Sequence, residues 1–219
     1  MAMIRAVFFD LDGTLADTAP DLGGALNRLL VMEGKSRLPM EHLRPYVSGG
    51  ARALLRTGFD ITPDDPGYAD MQQRFLDIYS ANICVDTKLF TDMPELLAAL
   101  ENRGLPWGIV TNKASRFTEK VVAGLGLSQR AVSVISGDSA ARPKPAPDPL
   151  LMAAAHAGLA PAECLYVGDD LRDIQSGKAA GMGTVTAAWG YLGESPDIAA
   201  WAADHICQTP LDLLQLLDR

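Results

Sequence analysis

IRAVFFDLDGTL, residues 4–15, is the segment from which the fold and the position of the site are predicted. Its apolar run, residues 6–9, is short, continuous and rich in aromatic and β-branched side chains, which predicts a strand buried on both faces of a parallel sheet. The run ends in Asp10 and Asp12. Ligands of open α/β sheets bind at the carboxyl ends of the strands, and two crowded carboxylates repel each other unless a cation or a proton separates them. We therefore expect a metal site at this edge of the sheet.

Composition narrows the possible partners. With 219 residues, 48% of them hydrophobic, the chain can bury a sizeable core as one domain or as a domain with an insertion. The formal net charge is -8 and the sequence pI is about 4.8. Most of the surface should therefore repel nucleic acid and anionic lipid, so we expect neither as a partner. An anionic substrate would need local positive charge.

Cysteine usage and hydropathy indicate a cytoplasmic protein. Cys84, Cys164 and Cys207 lie far apart, form no CxxC pair, and leave one thiol unpaired in any disulfide scheme. Charged residues interrupt the N-terminal apolar segment before it reaches signal-peptide length. No stretch is long enough for a transmembrane helix. The sequence predicts no particular oligomeric state.

The pattern of helices and strands changes twice along the chain. Residues 16–88 show helical spacing and no convincing buried strand, which predicts an inserted helical unit. From residue 89 onward, apolar runs alternate with helical segments, which predicts a parallel sheet with helices on both faces. The expected fold is therefore an α/β, Rossmann-like core formed by residues 1–15 and 89–219, interrupted by a helical unit of residues 16–88.

Three separate apolar runs end in polar residues. These are Asp10 and Asp12, then Thr111 and Asn112, then Asp169 and Asp170. If the strands are parallel, all three pairs lie at one edge of the sheet. Lys144, between two prolines that restrict its backbone, adds a fixed ammonium group. Carboxylates for a hard cation, a hydroxyl and backbone N–H groups for oxyanions, and one ammonium together suit phosphoryl transfer.

Four of these segments resemble the motifs of the haloacid-dehalogenase-like hydrolase superfamily. They are DLDGTLADT from residue 10, VTNK from residue 110, the lysine of RPKP from residue 142, and VGDDLRD from residue 167. They stand in family order and cover nearly the whole chain. The inserted helical unit resembles the small helical cap of the family. The overall spacing resembles the phosphoglycolate phosphatase-like branch.

A further resemblance points to one group within that branch. The segments VSGGARALL from residue 47, KLFTDMPELL from residue 88 and GDDLRDIQSGKAAG from residue 168 are similar to the N-acetylmuramic acid 6-phosphate phosphatases. Proteins of that group are often labelled phosphoglycolate phosphatases. The resemblance therefore leaves two substrates open, 2-phosphoglycolate and N-acetylmuramic acid 6-phosphate, both of which carry a carboxylate near the phosphate.

The resemblance implies roles for the acids. Asp10 would be the nucleophile that forms an aspartyl-phosphate, and Asp12 would protonate the leaving alkoxide and then activate water. Mg²⁺ would be held by the Asp10 side chain, the Asp12 backbone carbonyl and Asp169. Asp173 would orient metal-bound waters or Lys144. Many relatives carry serine where this chain has Asp170, so the resemblance assigns that residue no definite role.

The resemblance also implies how phosphate and the leaving group are bound. Phosphoryl oxygens would be bound by Thr111, the Asn112 N–H and Lys144. In the cap, a glycine-permitted turn formed by Ser48, Gly49 and Gly50 leads into a helix N-terminus, where an anionic or polar group can bind. Arg52 follows it and is the candidate for the carboxylate or sugar hydroxyls of the substrate. An ordinary helix start with a solvated Arg52 is the alternative.

The sequence favours a phosphatase over three alternatives, two enzymatic and one non-catalytic. Dehalogenases of the superfamily lack an acid two residues after the nucleophile, so Asp12 favours a phosphate ester. A phosphosugar mutase of the β-phosphoglucomutase type would share the same motifs and stays open as the second enzymatic reading. A non-catalytic phosphate-binding or interaction module would have lost some of the catalytic residues, yet all of them are present. We therefore expect a small phosphorylated substrate.

Overall fold

The computed structural model describes residues 3–193 and 197–218. In chain order the strands are β1 (Ala6–Phe9), β2 (Ala16–Asp17), β3 (Lys88–Leu89), β4 (Trp107–Val110), β5 (Val134–Ile135), β6 (Cys164–Gly168), β7 (Gly183–Ala187) and β8 (His205–Cys207). The α-helices are α1 (Ala19–Met32), α2 (Met40–Leu43), α3 (Gly50–Phe59), α4 (Tyr68–Ala81), α5 (Met93–Asn102), α6 (Ser115–Gly124), α7 (Asp148–Ala157), α8 (Leu171–Ala180) and α9 (Asp212–Leu217). Short 3₁₀ helices span Arg44–Gly49 and Pro161–Glu163. Among these described helices, none has the length and apolarity to cross a bilayer.

Six strands form one parallel sheet in the order β5-β4-β1-β6-β7-β8. β1 lies between β4 and β6, with Phe8 paired to Gly108 on one side and to Tyr166 on the other. All four residues of β1 are buried, as a continuous apolar run predicts for a strand covered on both faces. The predicted fold class, a parallel sheet with helices, is confirmed.

Because side chains alternate along β1, the strand contributes residues to two separate clusters of buried apolar side chains. Val7 and Phe9 pack into a cluster with apolar side chains of α5, α6 and α9. Ala6 and Phe8 pack into a second cluster, with apolar side chains of α7. Successive side chains of a strand point to opposite faces, so four consecutive apolar residues bind helices to both faces at once. This packing holds the end of β1, where Asp10 follows, in the middle of the sheet edge.

Helices α1, α3 and α4 form a third cluster of buried apolar residues, centred on side chains such as Leu26, Leu54 and Phe75. β2 and β3 pair antiparallel at the two places where this helical segment joins the sheet-forming segments. Neither strand was predicted from the sequence, because two residues are too few to establish a periodicity. The assignment of residues 16–88 as a cap stays a prediction.

Candidate active site

The predicted polar residues meet at the carboxyl edge of the three central strands. Asp10 follows β1, Thr111 follows β4 and Asp169 follows β6, so neighbouring strands bring them together. A cavity of about 220 Å³ opens there. Its lining consists of Asp10, Asp12, Ser48, Gly49, Gly50, Thr111, Asn112, Lys113, Lys144, Asp170, Arg172 and Asp173. Every residue predicted for the site, apart from Asp169 and Arg52, therefore lines one cavity.

Lys144 is the buried cation beside Asp10. Its Nζ lies 2.9 Å from Asp10 Oδ1 and 2.7 Å from Asp173 Oδ1, and it also donates to the Tyr166 hydroxyl and the Val110 carbonyl oxygen. Burial lowers the pKa of Lys144, but the two carboxylates raise it by more, so the ammonium keeps its charge. The structure thus places one fixed positive charge beside the predicted nucleophile.

The Asn112 side chain holds the backbone of Lys144. The Lys144 N–H donates to Asn112 Oδ1, and Asn112 Nδ2 donates to the Lys144 carbonyl oxygen, both at 2.9 Å. The resemblance implied a role only for the backbone N–H of Asn112. That N–H donates to no other group within the described ranges, so it is available to a ligand. The Thr111 hydroxyl accepts from the Lys113 N–H at 3.1 Å and keeps its own hydrogen for a further acceptor.

Asp169 lies beneath the cavity and is 1% exposed. Its Oδ1 accepts from the Thr14 hydroxyl at 2.8 Å, and its Oδ2 accepts from the Tyr191 N–H at 2.9 Å and the Ser48 hydroxyl at 3.1 Å. Gly13 has a φ of 85°, and a Cβ there would lie 2.2 Å from Asp169 Oδ2. The Gly-Thr pair after the first two acids is therefore needed for close packing around Asp169.

Three buried acids form a cluster that fits a divalent cation. Asp10, Asp169 and Asp173 each offer a carboxylate oxygen, and these oxygens lie within 4.8 Å of one another. Burial raises the pKa of Asp10 to about 7 and that of Asp169 to about 8, with the neighbouring carboxylates adding to the shift. Without a cation, these carboxylates hold their protons strongly, because protonation relieves the repulsion between them. A metal cation bound in place of the protons would relieve the same repulsion. An all-oxygen donor set suits Mg²⁺ or Ca²⁺.

Asp12 is oriented through one of its two oxygens. Oδ1 accepts from Lys113 Nζ at 2.8 Å and from the Thr18 hydroxyl at 2.6 Å, whereas Oδ2 accepts no hydrogen bond within the described ranges. Lys113 is only 7% exposed in its side chain and lies 4.9 Å from the centre of the Tyr79 ring on α4. One carboxylate oxygen is thus held firmly and the other is left for a ligand. Lys113 is the last residue of the VTNK motif, and the resemblance implied no role for it.

Asp170 caps helix α8 and binds Arg172. Its Oδ1 accepts from the Arg172 N–H at 2.9 Å, and its two oxygens accept from the guanidinium at 2.7 and 2.8 Å. Burial alone would raise the pKa of Asp170, but the Arg172 guanidinium lowers it overall. Arg172 Nη2 also donates to the Ser48 carbonyl oxygen at 2.9 Å. The pair therefore joins the sheet edge to the loop of the helical segment, a function that sequence reasoning did not assign.

Arg52 does not line the cavity. Its exposed side chain lies on α3 and lines a neighbouring cleft of about 650 Å³, which shares Gly49 and Arg172 with the cavity. The turn before α3 is a 3₁₀ helix that ends at Gly49. The sequence predicted the turn but not the path of its backbone. That path determines which side of α3 faces the acidic residues of the cavity.

Comparison with known proteins identifies a matching family and relatives whose activities are named. A family model described as haloacid dehalogenase-like hydrolase matches residues 7–187. The N-acetylmuramic acid 6-phosphate phosphatase of Pseudomonas aeruginosa is 41% identical over 216 residues, which cover 99% of this chain and 96% of that protein. A phosphoglycolate phosphatase of Xanthomonas campestris is also 41% identical, over 97% of this chain and 96% of its own. The crystal structure of a predicted phosphoglycolate phosphatase from Haemophilus somnus superposes with a TM-score of 0.86 at 26% identity, covering 99% of both chains.

Proposed function

The chain belongs to the haloacid dehalogenase-like hydrolases, and from this premise we propose that it is a Mg²⁺-dependent phosphatase that hydrolyses a small phosphate monoester through an aspartyl-phosphate. Membership of the family confirms the resemblance seen in the four motifs. The observation that carries the proposal is the position of Lys144, 2.9 Å from Asp10, in a cavity that Asp12 and Thr111 also line. The nucleophile, the general acid and the donors to the phosphoryl oxygens therefore surround one cavity that can hold a phosphoryl group.

In the first step, a carboxylate oxygen of Asp10 attacks phosphorus and the bond from phosphorus to the ester oxygen breaks. Asp12 gives a proton to the leaving alkoxide through its free Oδ2. Lys113 and Thr18 hold the other oxygen, Oδ1, so the proton donor does not rotate away. The products of this step are an alcohol and the acyl phosphate of Asp10.

In the second step, Asp12 removes a proton from water, and the resulting hydroxide attacks the phosphorus of the acyl phosphate. The bond between phosphorus and the Asp10 oxygen breaks, which regenerates the carboxylate and releases inorganic phosphate. Lys144, the Asn112 N–H and the Thr111 hydroxyl bind the phosphoryl oxygens in both steps. Because the Asn112 side chain and Asp173 already hold Lys144 in place, these donors are preorganised for the charge that develops.

The donor set described above fits Mg²⁺. The carboxylates of Asp10 and Asp169 and the backbone carbonyl of Asp12 would hold it, with Asp173 as the third acid of the cluster. Bound there, the ion would offset the repulsion between the Asp10 carboxylate and a doubly charged phosphate ester. Thr14, Ser48 and the Tyr191 N–H orient Asp169, as supporting hydrogen bonds commonly do for a ligand carboxylate.

Residues 16–88 act as a cap over this site. The Ser48 hydroxyl donates to Asp169, and its carbonyl oxygen accepts from Arg172, so the loop before α3 contacts the sheet edge at two points. Gly49 and Gly50 complete that wall of the cavity. A cap that closes there excludes bulk water from the acyl phosphate until hydrolysis. The relatives place 2-phosphoglycolate and N-acetylmuramic acid 6-phosphate first among the substrates to test.

The test is phosphate release from para-nitrophenyl phosphate with Mg²⁺ by wild type and by Asp10→Asn. We expect turnover by wild type and none by the variant, with an unchanged circular dichroism spectrum. Equal turnover by both proteins would contradict the proposal. Product analysis with a sugar phosphate separates hydrolysis from the mutase reading, because a mutase yields an isomeric sugar phosphate without free phosphate.

A further inference from the structure

Tyr191, in the segment that follows β7, contacts both the sheet edge and the start of helix α1. Its backbone N–H donates to Asp169 Oδ2 at 2.9 Å. Its hydroxyl accepts from the N–H groups of Thr18 and Ala19, both at 2.8 Å, and donates to Asp17 Oδ1 at 3.0 Å. One residue therefore joins an acid of the site to the connection that leads from β1 into the helical segment.

The hydroxyl of Tyr191 uses its full capacity for hydrogen bonds. A phenolic hydroxyl has one hydrogen to donate and two lone pairs that accept, and the three contacts above occupy all of them. Tyr191 is 5% exposed, and Thr18 and Ala19 are 0% exposed, so solvent does not reach these N–H groups. Because a buried N–H without a partner is costly, the position of this hydroxyl determines where the backbone of Thr18 lies.

Thr18 directs its side chain to the catalytic cavity instead of to its own helix. It precedes α1 at the position where a threonine hydroxyl usually accepts from a helix N–H. Within the described ranges its side chain accepts no such bond, and its hydroxyl donates to Asp12 Oδ1 at 2.6 Å. Tyr191 provides the acceptor for the N–H groups at this helix start. The Thr18 hydroxyl is therefore available to hold Asp12.

On these grounds, and resting on the phosphatase function proposed above, we propose that Tyr191 is a positioning residue for the proton donor: its hydroxyl fixes the backbone of Thr18, and the Thr18 hydroxyl fixes Asp12. The proton passes from Asp12 to the ester oxygen while the bond from phosphorus to that oxygen breaks. A displaced donor stays in the cavity but transfers its proton less efficiently, because the reaction depends on accurate geometry. The loss of rate should therefore grow with the need of the leaving group for a proton.

A purely structural role of the hydroxyl predicts a different result. If Tyr191 only stabilised the start of α1, its loss would lower activity on every ester by the same factor. The return connection of the helical segment offers a comparison, because the Thr87 hydroxyl donates there to Asp21 Oδ2 on α1 at 2.6 Å. Within the described ranges neither Thr87 nor Asp21 contacts Asp12 through a hydrogen bond. Thr87→Val therefore weakens the other connection without changing the proton donor.

The experiment compares phenyl phosphate with para-nitrophenyl phosphate, two esters of similar shape. The nitro group stabilises the departing phenolate, whereas unsubstituted phenolate is more basic and needs the proton more. With Mg²⁺ present, kcat/KM is measured for wild type, Tyr191→Phe, Thr18→Val, the double variant and Thr87→Val, because this ratio reports the transition state of ester cleavage relative to free enzyme and ester. Phenylalanine keeps the contact of the Tyr191 ring with Phe90, and valine keeps the shape of threonine.

We expect Tyr191→Phe to lose about tenfold in kcat/KM on phenyl phosphate but only about threefold on para-nitrophenyl phosphate, within the range of one hydrogen bond. Thr18→Val should show the same larger loss on phenyl phosphate. The double variant should lose no more than the larger single loss, because both changes act on one chain of contacts. Thr87→Val should lower the urea midpoint, as Tyr191→Phe does, and leave the ratio of the two rates at its wild-type value.

Four results would overturn the proposal. The first is an equal loss on the two esters in Tyr191→Phe, and the second is losses that add in the double variant. The third is a wild-type ratio of the two rates in Thr18→Val, which would decide the matter even if the Tyr191→Phe protein did not fold. The fourth is the same change of ratio in Thr87→Val, which would assign the effect to a weakened helical segment. Failure of the phosphatase function is distinguishable, because wild type would then release no phosphate from either ester.

Discussion

Replacing Lys113 by methionine tests how the acid of the site is held in place. Lys113 Nζ and the Thr18 hydroxyl are the two donors to Asp12 Oδ1. The side chain of Lys113 is 7% exposed and that of Asp12 is 15% exposed. Methionine keeps most of the length and apolar surface of lysine but removes the charge. The variant should therefore fold with the same packing against Tyr79 and leave Asp12 with a single donor.

The expected magnitude follows from this burial. A hydrogen bond to a charged group contributes about 1.5–3 kcal/mol, and breaking a fully buried ion pair costs about 3–5 kcal/mol. Asp12 lines the catalytic cavity, where water can replace the lost donor, so we take the lower range, about 2 kcal/mol. If that interaction is fully used in the transition state, kcat should fall about 30-fold.

The assay is kcat and KM for para-nitrophenyl phosphate with Mg²⁺, together with urea unfolding. Lys120→Met is the matched control, because Lys120 also reaches α4, where its Nζ donates to the Ser80 hydroxyl, but it lies on the surface. We expect a lower kcat with little change in KM for Lys113→Met, and wild-type kinetics for Lys120→Met. A wild-type kcat for Lys113→Met, or an equal loss in the control, would contradict this role of Lys113.

Three further perturbations test the rest of the site. Gly13→Ala should abolish activity, because its Cβ would lie 2.2 Å from Asp169 Oδ2 at a φ of 85°; turnover near that of wild type would contradict this packing. Asn112→Ala removes both hydrogen bonds to the Lys144 backbone and should cost about 2 kcal/mol in urea unfolding and about tenfold in kcat, with unchanged kinetics as the contrary outcome. Mg²⁺ at 100 times its Kd should stabilise wild type by about 2.7 kcal/mol, and Asp169→Asn should lose this shift in thermal melting. Because burial raises the pKa of Asp10 to about 7 and that of Asp169 to about 8, protons compete with the ion, so at one fixed Mg²⁺ concentration the shift should be larger at pH 9 than at pH 6; an equal shift at both would argue against these carboxylates as ligands.

Much of the site could be read from local sequence because it lies at strand ends. A buried apolar run followed at once by polar residues predicts both a strand and the edge at which its last residues lie. The structure places Asp10 and Thr111 together for this reason, and the fold class and family that these segments predicted are confirmed. The roles assigned to individual residues stay predictions until the variants above are measured.

The sheet, the family and the polar residues that follow the central strands were therefore predictable from the sequence alone. Hydrophobic periodicity and the polar residues at strand ends are both visible within a few consecutive residues. Only the tertiary structure showed that Lys113 holds Asp12, that the Asn112 side chain holds Lys144, and that Arg52 lies in a separate cleft. The first two contacts join residues 101 and 32 positions apart, and the third depends on the path of the turn before α3. No local pattern encodes such pairings, since they form only when helices and strands pack and long-range contacts repay the entropy of closing the chain.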